Sequence, residues 1–157
     1  MKVLSEYELS SIAHRLIGLV RDGYNKEVKG SLYTRCRDLY GFLYYSGTLS
    51  TLGFAYSKAT ENLVKQCFRW IVSSLENEAM EPPTGKKEDL GYALYASFMM
   101  YLFKKLFKGT DLEVKNASID EVIKIISNES YVILLDDYSL RFAKWLKRYA
   151  EALLEER

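Results

Sequence analysis

Few side chains of this sequence are suited to acid–base catalysis. His14 is the sole histidine among 157 residues, and general acid–base catalysis depends on a group of positioned residues rather than on one. The acidic pairs, Asp136 with Asp137 and Asp120 with Glu121, are adjacent in sequence and therefore diverge by about 100° around a helix. We expect His14 to be an ordinary surface or half-buried residue and the acidic pairs to serve capping and solubility.

The cysteines and glycines give no sign of a metal or nucleotide site. Cys36 and Cys67 are far apart and are accompanied by a single histidine, which is not a zinc-binding spacing. Both fall at inward positions of helical patterns, where a cysteine acts as a small apolar residue. The nine glycines form neither Gly-x-Gly-x-x-Gly nor a phosphate-binding loop. We therefore expect no enzymatic activity, no metal and no cofactor, in a reduced, cytoplasmic protein.

The last helical segment combines an apolar stripe with a concentration of positive charge. The stripe comprises Tyr131, Leu134, Leu135, Tyr138, Phe142, Trp145, Leu146, Tyr149 and Leu153. Four cations lie away from it: Arg141, Lys144, Lys147 and Arg148. Asp137 and Glu151 stand four residues from Arg141 and Lys147, a spacing at which opposite charges attract on a helix. Lys144 has no such acid and stands among like charges, which is unfavourable unless an anion or an acidic protein surface faces it.

The chain as a whole is nearly neutral. Its 22 basic and 21 acidic residues leave a formal charge of +1, so a nucleic-acid contact has to come from a local patch. The 48% hydrophobic content is enough for a sizeable core, and the length favours one helical domain over residues 1–157. The N-terminus has no apolar signal region, and no segment reaches the roughly 18 apolar residues of a membrane span. We expect a soluble protein without a membrane partner.

Tyrosine is unusually frequent, with thirteen residues. One cluster in the first third of the chain interleaves aromatic rings with cations: Tyr33, Arg35, Arg37, Tyr40, Tyr44, Tyr45, Tyr56 and Lys58. Such a mixture can stack on the bases of single-stranded nucleic acid. Half-buried tyrosines of a helical bundle, or tyrosines at a protein interface, have the same composition, and the sequence leaves these interpretations open.

The elements that hold these side chains are predicted to be helices. The two prolines, Pro82 and Pro83, are adjacent and indicate a loop near residues 79–86. Elsewhere apolar residues recur at steps of three and four, and no long run alternates between apolar and polar. Residues 90–103 are uncharged in succession, as expected for a central helix surrounded by others. The pattern predicts an all-α fold, a compact bundle of about six or seven helices with no sheet.

Helix boundaries follow from capping and breaking signals. Ser5 and Ser118 each precede a glutamate by three residues, the spacing of a capping box. Gly47 should end a helix, whereas Gly53 costs only about 1 kcal/mol in a helix interior and does not decide whether residues 48–58 and 60–78 form one long helix or two. The other helices are predicted over residues 5–22, 29–45, 87–108, 118–127 and 130–155.

Two segments resemble motifs of a known family. Residues 145–152, Trp-Leu-Lys-Arg-Tyr-Ala-Glu-Ala, resemble the closing motif of the small all-helical subunit of CRISPR type III-B effector complexes, the RAMP-module assemblies. Residues 45–58 resemble the Gly-Leu segment of that family, although Thr48 separates the glycine from the leucine and Gly53 replaces a helix former. The second likeness is carried by Gly47, Leu49, Leu52, Phe54, Ser57 and Lys58.

The resemblance implies a non-catalytic subunit of an RNA-guided complex of antiviral defence. Such a subunit packs on copies of itself and on backbone subunits, beside the groove that holds guide and target RNA, while other subunits cleave. By position, five cations would then face RNA phosphate or an acidic neighbour: Lys144, Arg148, Lys147, Arg141 and Lys58. Phosphate contacts position a strand without reading its sequence, so the subunit would stabilise target binding without selecting the target.

A second interpretation belongs to a different functional class. Exposed tyrosines and cations also suit a helical protein-interaction module that binds an acidic protein partner and has no connection with RNA. Recovery of RNA and other CRISPR subunits with the purified chain would separate the two interpretations.

Overall fold

Six α-helices make up most of the computed structural model, which describes residues 1–76 and 78–155. They are α1 (Glu6–Gly23), α2 (Lys26–Ala59), α3 (Glu61–Glu76), α4 (Lys87–Leu106), α5 (Ile119–Ile126) and α6 (Val132–Leu153). The residues described contain no strand. The prediction of an all-α bundle of about six or seven helices is confirmed, and residues 78–86 connect α3 to α4 without helical structure.

The central position of α4 follows from its uncharged sequence. Residues 93–103 of this helix are buried without interruption, because α2 packs against one side and α3 against another. At Gly91 the backbone of α4 approaches α2 so closely that a Cβ atom would overlap Ser31 Oγ. The remaining helices complete the bundle, with α6 packed on both α1 and α2.

Both predicted capping boxes are present. At the start of α1, the Glu8 amide donates to Ser5 Oγ at 3.1 Å, and the Ser5 amide donates back to Glu8 Oε1 at 3.4 Å. At the start of α5, the Glu121 amide donates to Ser118 Oγ at 3.2 Å, and the reciprocal bond to Glu121 Oε1 measures 3.1 Å. These bonds satisfy amides that have no partner inside the first turn of a helix.

Gly47 ends the first half of α2, as predicted. Its φ of 83° and ψ of 176° are not helical and kink the chain, and a second helical half follows directly and runs to Ala59. Gly53 lies inside the second half of α2. The break that separates α2 from α3 falls at Thr60, whose φ is 78°, at the boundary of the two predicted segments 48–58 and 60–78. The chain after Gly47 therefore forms two helical segments, which meet at Thr60. The sequence gives no signal for the positive φ of this threonine.

The apolar stripe of α6 largely faces the core. Leu135, Tyr138, Phe142 and Leu146 are buried, and four further members pack against them while half-buried: Tyr131, Trp145, Tyr149 and Leu153. Leu134 was predicted to face inward, and this was wrong, because it is 46% exposed. Adjacent helical residues diverge by about 100°, and Leu135 occupies the inward direction.

Candidate nucleic-acid and partner interface

Lys144 and Arg148 lie at the surface because α6 turns its opposite side towards α1 and α2. Phe142, Leu146 and Ala150 form that buried side. Lys144 and Arg148 are both exposed, and four residues separate them by about 6 Å along the helix axis. Two of the five cations predicted to contact RNA or a partner are thus neighbours on one open surface.

Arg141 is held by contacts within the chain. Its guanidinium donates to Glu6 on α1 at 3.1 Å and pairs with Asp137 at 2.9 Å, and it lies 4.7 Å from the centre of the Tyr138 ring. Burial favours the neutral form of Arg141, but the bonds to both carboxylates outweigh this effect and raise its pKa. The predicted pairing with Asp137 is present, and the guanidinium also joins α1 to α6.

Glu6 collects several contacts from α6. It accepts a hydrogen bond from Trp145 Nε1 at 2.8 Å in addition to the bond from Arg141. These two hydrogen bonds are the main causes of the lowered pKa of Glu6, and the charge of Lys144 contributes as well. Lys144 therefore has an acid nearby on α1, although the acids at helical spacing on its own helix are missing.

Lys147 packs on an aromatic ring. Its Nζ atom lies 5.3 Å from the centre of the Tyr40 ring on α2, within the range of a cation–π interaction. The expected ion pair with Glu151 is not formed between these two described residues. Arg148 makes a similar contact with Trp145 at 5.1 Å, but its side chain remains exposed.

Lys58 lies apart from the cations of α6. The start of α6 meets α2 at Gly47, where Asp136 is adjacent, and the C-terminal half of α6 runs back along the first half of α2, as the contact of Lys147 with Tyr40 shows. Lys58 is eleven residues beyond Gly47, about 16 Å further along the helix. It is exposed there, with its Nζ atom 5.5 Å from the Phe54 ring. The five predicted residues do not form one group.

The tyrosine cluster is divided between the core and the surface. Tyr56 is buried and donates a hydrogen bond to the Ala117 carbonyl at 2.7 Å. Tyr33 bonds Glu155 and Tyr40 lies under Lys147. Tyr44 and Tyr45 are exposed and contact each other edge to face at 5.1 Å. Most of the cluster thus has a role inside the bundle, and two rings are open to a partner.

The residues considered for catalysis are isolated from one another. His14 is exposed, and its ring lies 5.1 Å from the centre of the Tyr149 ring. Cys36 and Cys67 are buried as predicted, and burial raises the pKa of both thiols, that of Cys67 to about 12. No cluster of three or more potential metal ligands occurs within residues 1–76 and 78–155.

Comparison with known proteins identifies the family. A family model described as CRISPR-associated protein (Cas_Cmr5) matches residues 10–153, nearly the whole chain. The chain belongs to the Cmr5 family of CRISPR-associated proteins. The resemblance found in residues 45–58 and 145–152 is thereby confirmed, and the interpretation as a protein-interaction module unrelated to RNA is not favoured.

One named Cmr5 relative matches the chain over its full length, and two solved structures share its fold. The CRISPR system CMR subunit Cmr5 of Saccharolobus solfataricus is 27% identical over 172 aligned positions that span all of both chains. A chain of a type III-B Cmr-beta complex bound to non-cognate target RNA superposes with a TM-score of 0.75 at 21% identity, covering 99% of this chain and 100% of its own. A chain of the complex bound to cognate target RNA and AMPPnP gives 0.70 at 22% identity, with 97% of each chain covered.

Sequence reasoning missed an apolar surface at the start of α6. Ile133 is 83% exposed, and Val132, Leu134, Ile123 and Leu49 are also exposed. Beside them lies a groove of about 310 Å³ between the kink of α2 and the start of α6, with Ile126 in its wall. We call these six residues the apolar end. The run Tyr131 to Leu135 carried the signal, since successive apolar residues cannot all face one side of a helix.

Two cations of α3 were also missed. Lys65 and Arg69 stand four residues apart on this helix, the same like-charge spacing that drew attention to Lys144 and Arg148. They line a cavity of about 330 Å³ together with Lys115.

None of the described helices is both long enough and apolar enough to cross a membrane.

Proposed function

We propose that this chain is a non-catalytic, cytoplasmic subunit of a type III-B CRISPR effector complex. It packs on copies of itself and on backbone subunits, and it thereby stabilises the assembly and its binding of target RNA. The observation that carries the proposal is the match to the Cmr5 family over residues 10–153. The S. solfataricus relative is named a subunit of the CMR system, and the similar structures are Cmr-beta complexes bound to target RNA.

The apolar end supports the packing role. Contiguous exposed apolar surface indicates a protein-binding site, because its transfer out of water is favourable and its exposure promotes aggregation. Leu49, Ile126 and Val132 line the groove at the junction of α2, α5 and α6. Ile133 follows Val132 in the chain and is exposed, so that a neighbouring subunit can cover this surface. The nearby Tyr45, 86% exposed, offers an aromatic anchor of the kind enriched at interfaces.

The surface of α6 supports a contact with RNA. Lys144 and Arg148 are exposed and project from one side of the helix, so both can approach a phosphate. Arg141 and Lys147 are partly engaged by Glu6, Asp137 and the Tyr40 ring, and we assign them a supporting electrostatic role. Lys58 makes a separate contact at the other end of α2. Contacts of this type bind the RNA backbone and not a particular base.

Co-purification from the native host tests the proposal. A tagged chain should recover other CRISPR subunits and RNA, and Ile133→Asp should reduce the recovery of protein subunits at least tenfold because it places a charge in the apolar end. Met80→Asp provides the control, since Met80 is exposed in the loop that joins α3 to α4. Recovery of the wild-type chain without CRISPR subunits would contradict the proposed function.

A further inference from the structure

A second concentration of positive charge lies on α3 and the segment that follows α4. Residues 107–118 run back along α3: Glu113 shares a cavity with Glu76 at the C-terminus of this helix, and the Ile119 amide donates to Glu61 at its start. Two cavities of about 330 and 410 Å³ lie along this line. We call them the basic groove. Its cations are Lys65, Arg69, Lys104, Lys105, Lys108 and Lys115.

The charge of the basic groove contrasts with that of the chain. Among the residues described, six positive and two negative side chains line it, whereas the entire sequence has a formal charge of only +1. The two acids are already engaged, Glu113 with Lys115 at 2.8 Å and Glu76 with Lys105 at 3.3 Å. Glu61 and Glu121 near one end bind backbone amides of residues 115–119. The groove therefore keeps a net positive field.

Three cations of the groove form neither an ion pair nor a hydrogen bond among the residues described, whereas Lys104 donates to the Val114 carbonyl. Lys65 and Arg69 are four residues apart on α3, and neither forms an ion pair with the described part of the chain. Lys108, exposed just beyond α4, is in the same situation. Like charges at this helical spacing repel each other, and a bound anion would remove the penalty. Helix-dipole effects account for Lys104 and Lys105, but not for Lys65 and Arg69 in the middle of α3.

The shape and lining of the groove indicate the ligand. Asn62, Gln66 and Asn116 add amide groups that can donate hydrogen bonds, and Phe68, the large apolar residue of the lining, is buried. Protein interfaces are anchored by exposed aromatic or aliphatic residues, which this lining does not offer. From Lys65 to Glu76 the groove follows α3 for about 16 Å, which is long enough to contact more than one phosphate of a strand.

We propose that the basic groove binds the phosphate backbone of an RNA strand, independently of the cations of α6. This inference rests on the proposed function for the choice of RNA. Lys65 and Arg69 contact successive phosphates from α3, Lys108 and Lys115 approach from the other side, and the amide groups donate to phosphate oxygens. The lack of exposed rings in the lining makes binding insensitive to base identity, since bases are read by stacking and by hydrogen bonds to their edges.

Equilibrium binding of the full free chain to labelled uridine and adenosine homopolymers tests this proposal. Fluorescence anisotropy over a series of KCl concentrations gives the affinity and its salt dependence. Each phosphate contact adds about 0.7 to the salt slope for a single strand, so Lys65→Ala with Arg69→Ala should lower the slope by about 1.4. At low salt, Kd should rise at least tenfold, equally for both homopolymers. Lys108→Ala with Lys115→Ala, a second variant of the same groove, should give the same loss.

The matched control removes two exposed lysines at the other end of α4. Lys86→Ala with Lys87→Ala changes the net charge equally and should leave Kd within twofold. An equal loss in the control and groove variants, or no binding of RNA by the wild-type chain, would overturn the proposal. Labelled polyglutamate bound as tightly as RNA, with the same sensitivity to the variants, would also overturn it and indicate an acidic protein partner. Failure here leaves co-purification with CRISPR subunits unaffected, so the two proposals fail separately.

Discussion

The carboxylate of Asp136 caps a helix segment to which it does not belong. Asp136 Oδ1, on α6, accepts hydrogen bonds from the backbone amide of Thr48 at 2.9 Å and from its hydroxyl at 2.6 Å. Thr48 follows the kink at Gly47, where the helical hydrogen-bond pattern is interrupted and amides lose their partners. The negative charge also lies at the positive end of the second half of α2. One side chain thus joins α6 to α2 beside the apolar end.

Removal of this contact should destabilise the fold. Asp136→Ala leaves the amide and hydroxyl of the buried Thr48 without an acceptor, so we expect the free energy of unfolding to fall by about 1–3 kcal/mol. Urea denaturation followed by circular dichroism measures the change. Asp137→Ala is the matched control, because Asp137 is 59% exposed in its pair with Arg141 and should cost less than about 1 kcal/mol. Equal effects of the two substitutions would contradict the capping role of Asp136.

Alanine substitutions at two glycines of α2 should change the free energy of unfolding in opposite directions. Gly47 has φ of 83° and ψ of 176°, a region that alanine avoids, so Gly47→Ala should lower the free energy of unfolding by about 1–3 kcal/mol. Gly53 is helical, and no atom lies within 4 Å of a Cβ placed there. Gly53→Ala should therefore raise the free energy of unfolding by about 0.5–1 kcal/mol. Thermal melts of both variants show whether each melting temperature rises or falls. A lower melting temperature for Gly53→Ala would contradict the prediction and indicate that the added methyl group clashes with a neighbouring residue.

The parts of the fold predicted from sequence depend on short-range chemistry. Both capping boxes, at Ser5 and Ser118, use bonds across three residues. The burial of the uncharged run of α4 could likewise be predicted without knowing which helices cover it. The break at Thr60 was not predictable in this way. Its positive φ belongs to a residue type that rarely adopts one, and local spacing carries no signal for it.

In the candidate site, too, sequence spacing predicted contacts within one helix but not contacts between helices. Helical spacing correctly indicated Arg141 with Asp137 and placed Lys144 and Arg148 on one surface. It could not reveal Glu6, which lies 135 residues from Arg141 in sequence but within 3.1 Å in space. The cations of α3 had a spacing signal of their own, but Lys115 reaches them only through the return of residues 107–118 along α3.

Acid should weaken the link between α1 and α6. The folded-state pKa of Glu6 is lowered below the ordinary value of 4.5, first by the Trp145 hydrogen bond and then by that of Arg141. Stabilisation by a group with a lowered pKa is present above the unfolded value and is lost as the pH falls through the folded value. Because the Glu6 side chain is 54% exposed, we expect a contribution of about 1 kcal/mol or less.

Glu6→Gln tests this pH dependence. The wild type should be the more stable protein above about pH 5, and the difference should shrink as the pH falls below about 4. Urea midpoints at several pH values give the free energies, and Trp145 fluorescence reports the loss of its bond to the carboxylate. Trp70 is buried and should contribute a constant signal while the chain remains folded. A constant stability difference across the acidic range would show that Glu6 titrates normally.

Charge reversal on α6 tests its proposed contact with RNA. Lys144→Glu with Arg148→Glu should lower target-RNA affinity of the reconstituted complex, since two phosphate contacts are replaced by repulsion. The salt slope should fall by about 1.8 for a guide–target duplex, at about 0.9 per contact. Both residues are exposed, so the free chain should keep its melting temperature. Lys86→Glu with Lys87→Glu changes the charge equally and should leave the slope unchanged. Reduced incorporation of the subunit with unaltered RNA affinity would instead indicate that this surface of α6 contacts an acidic protein.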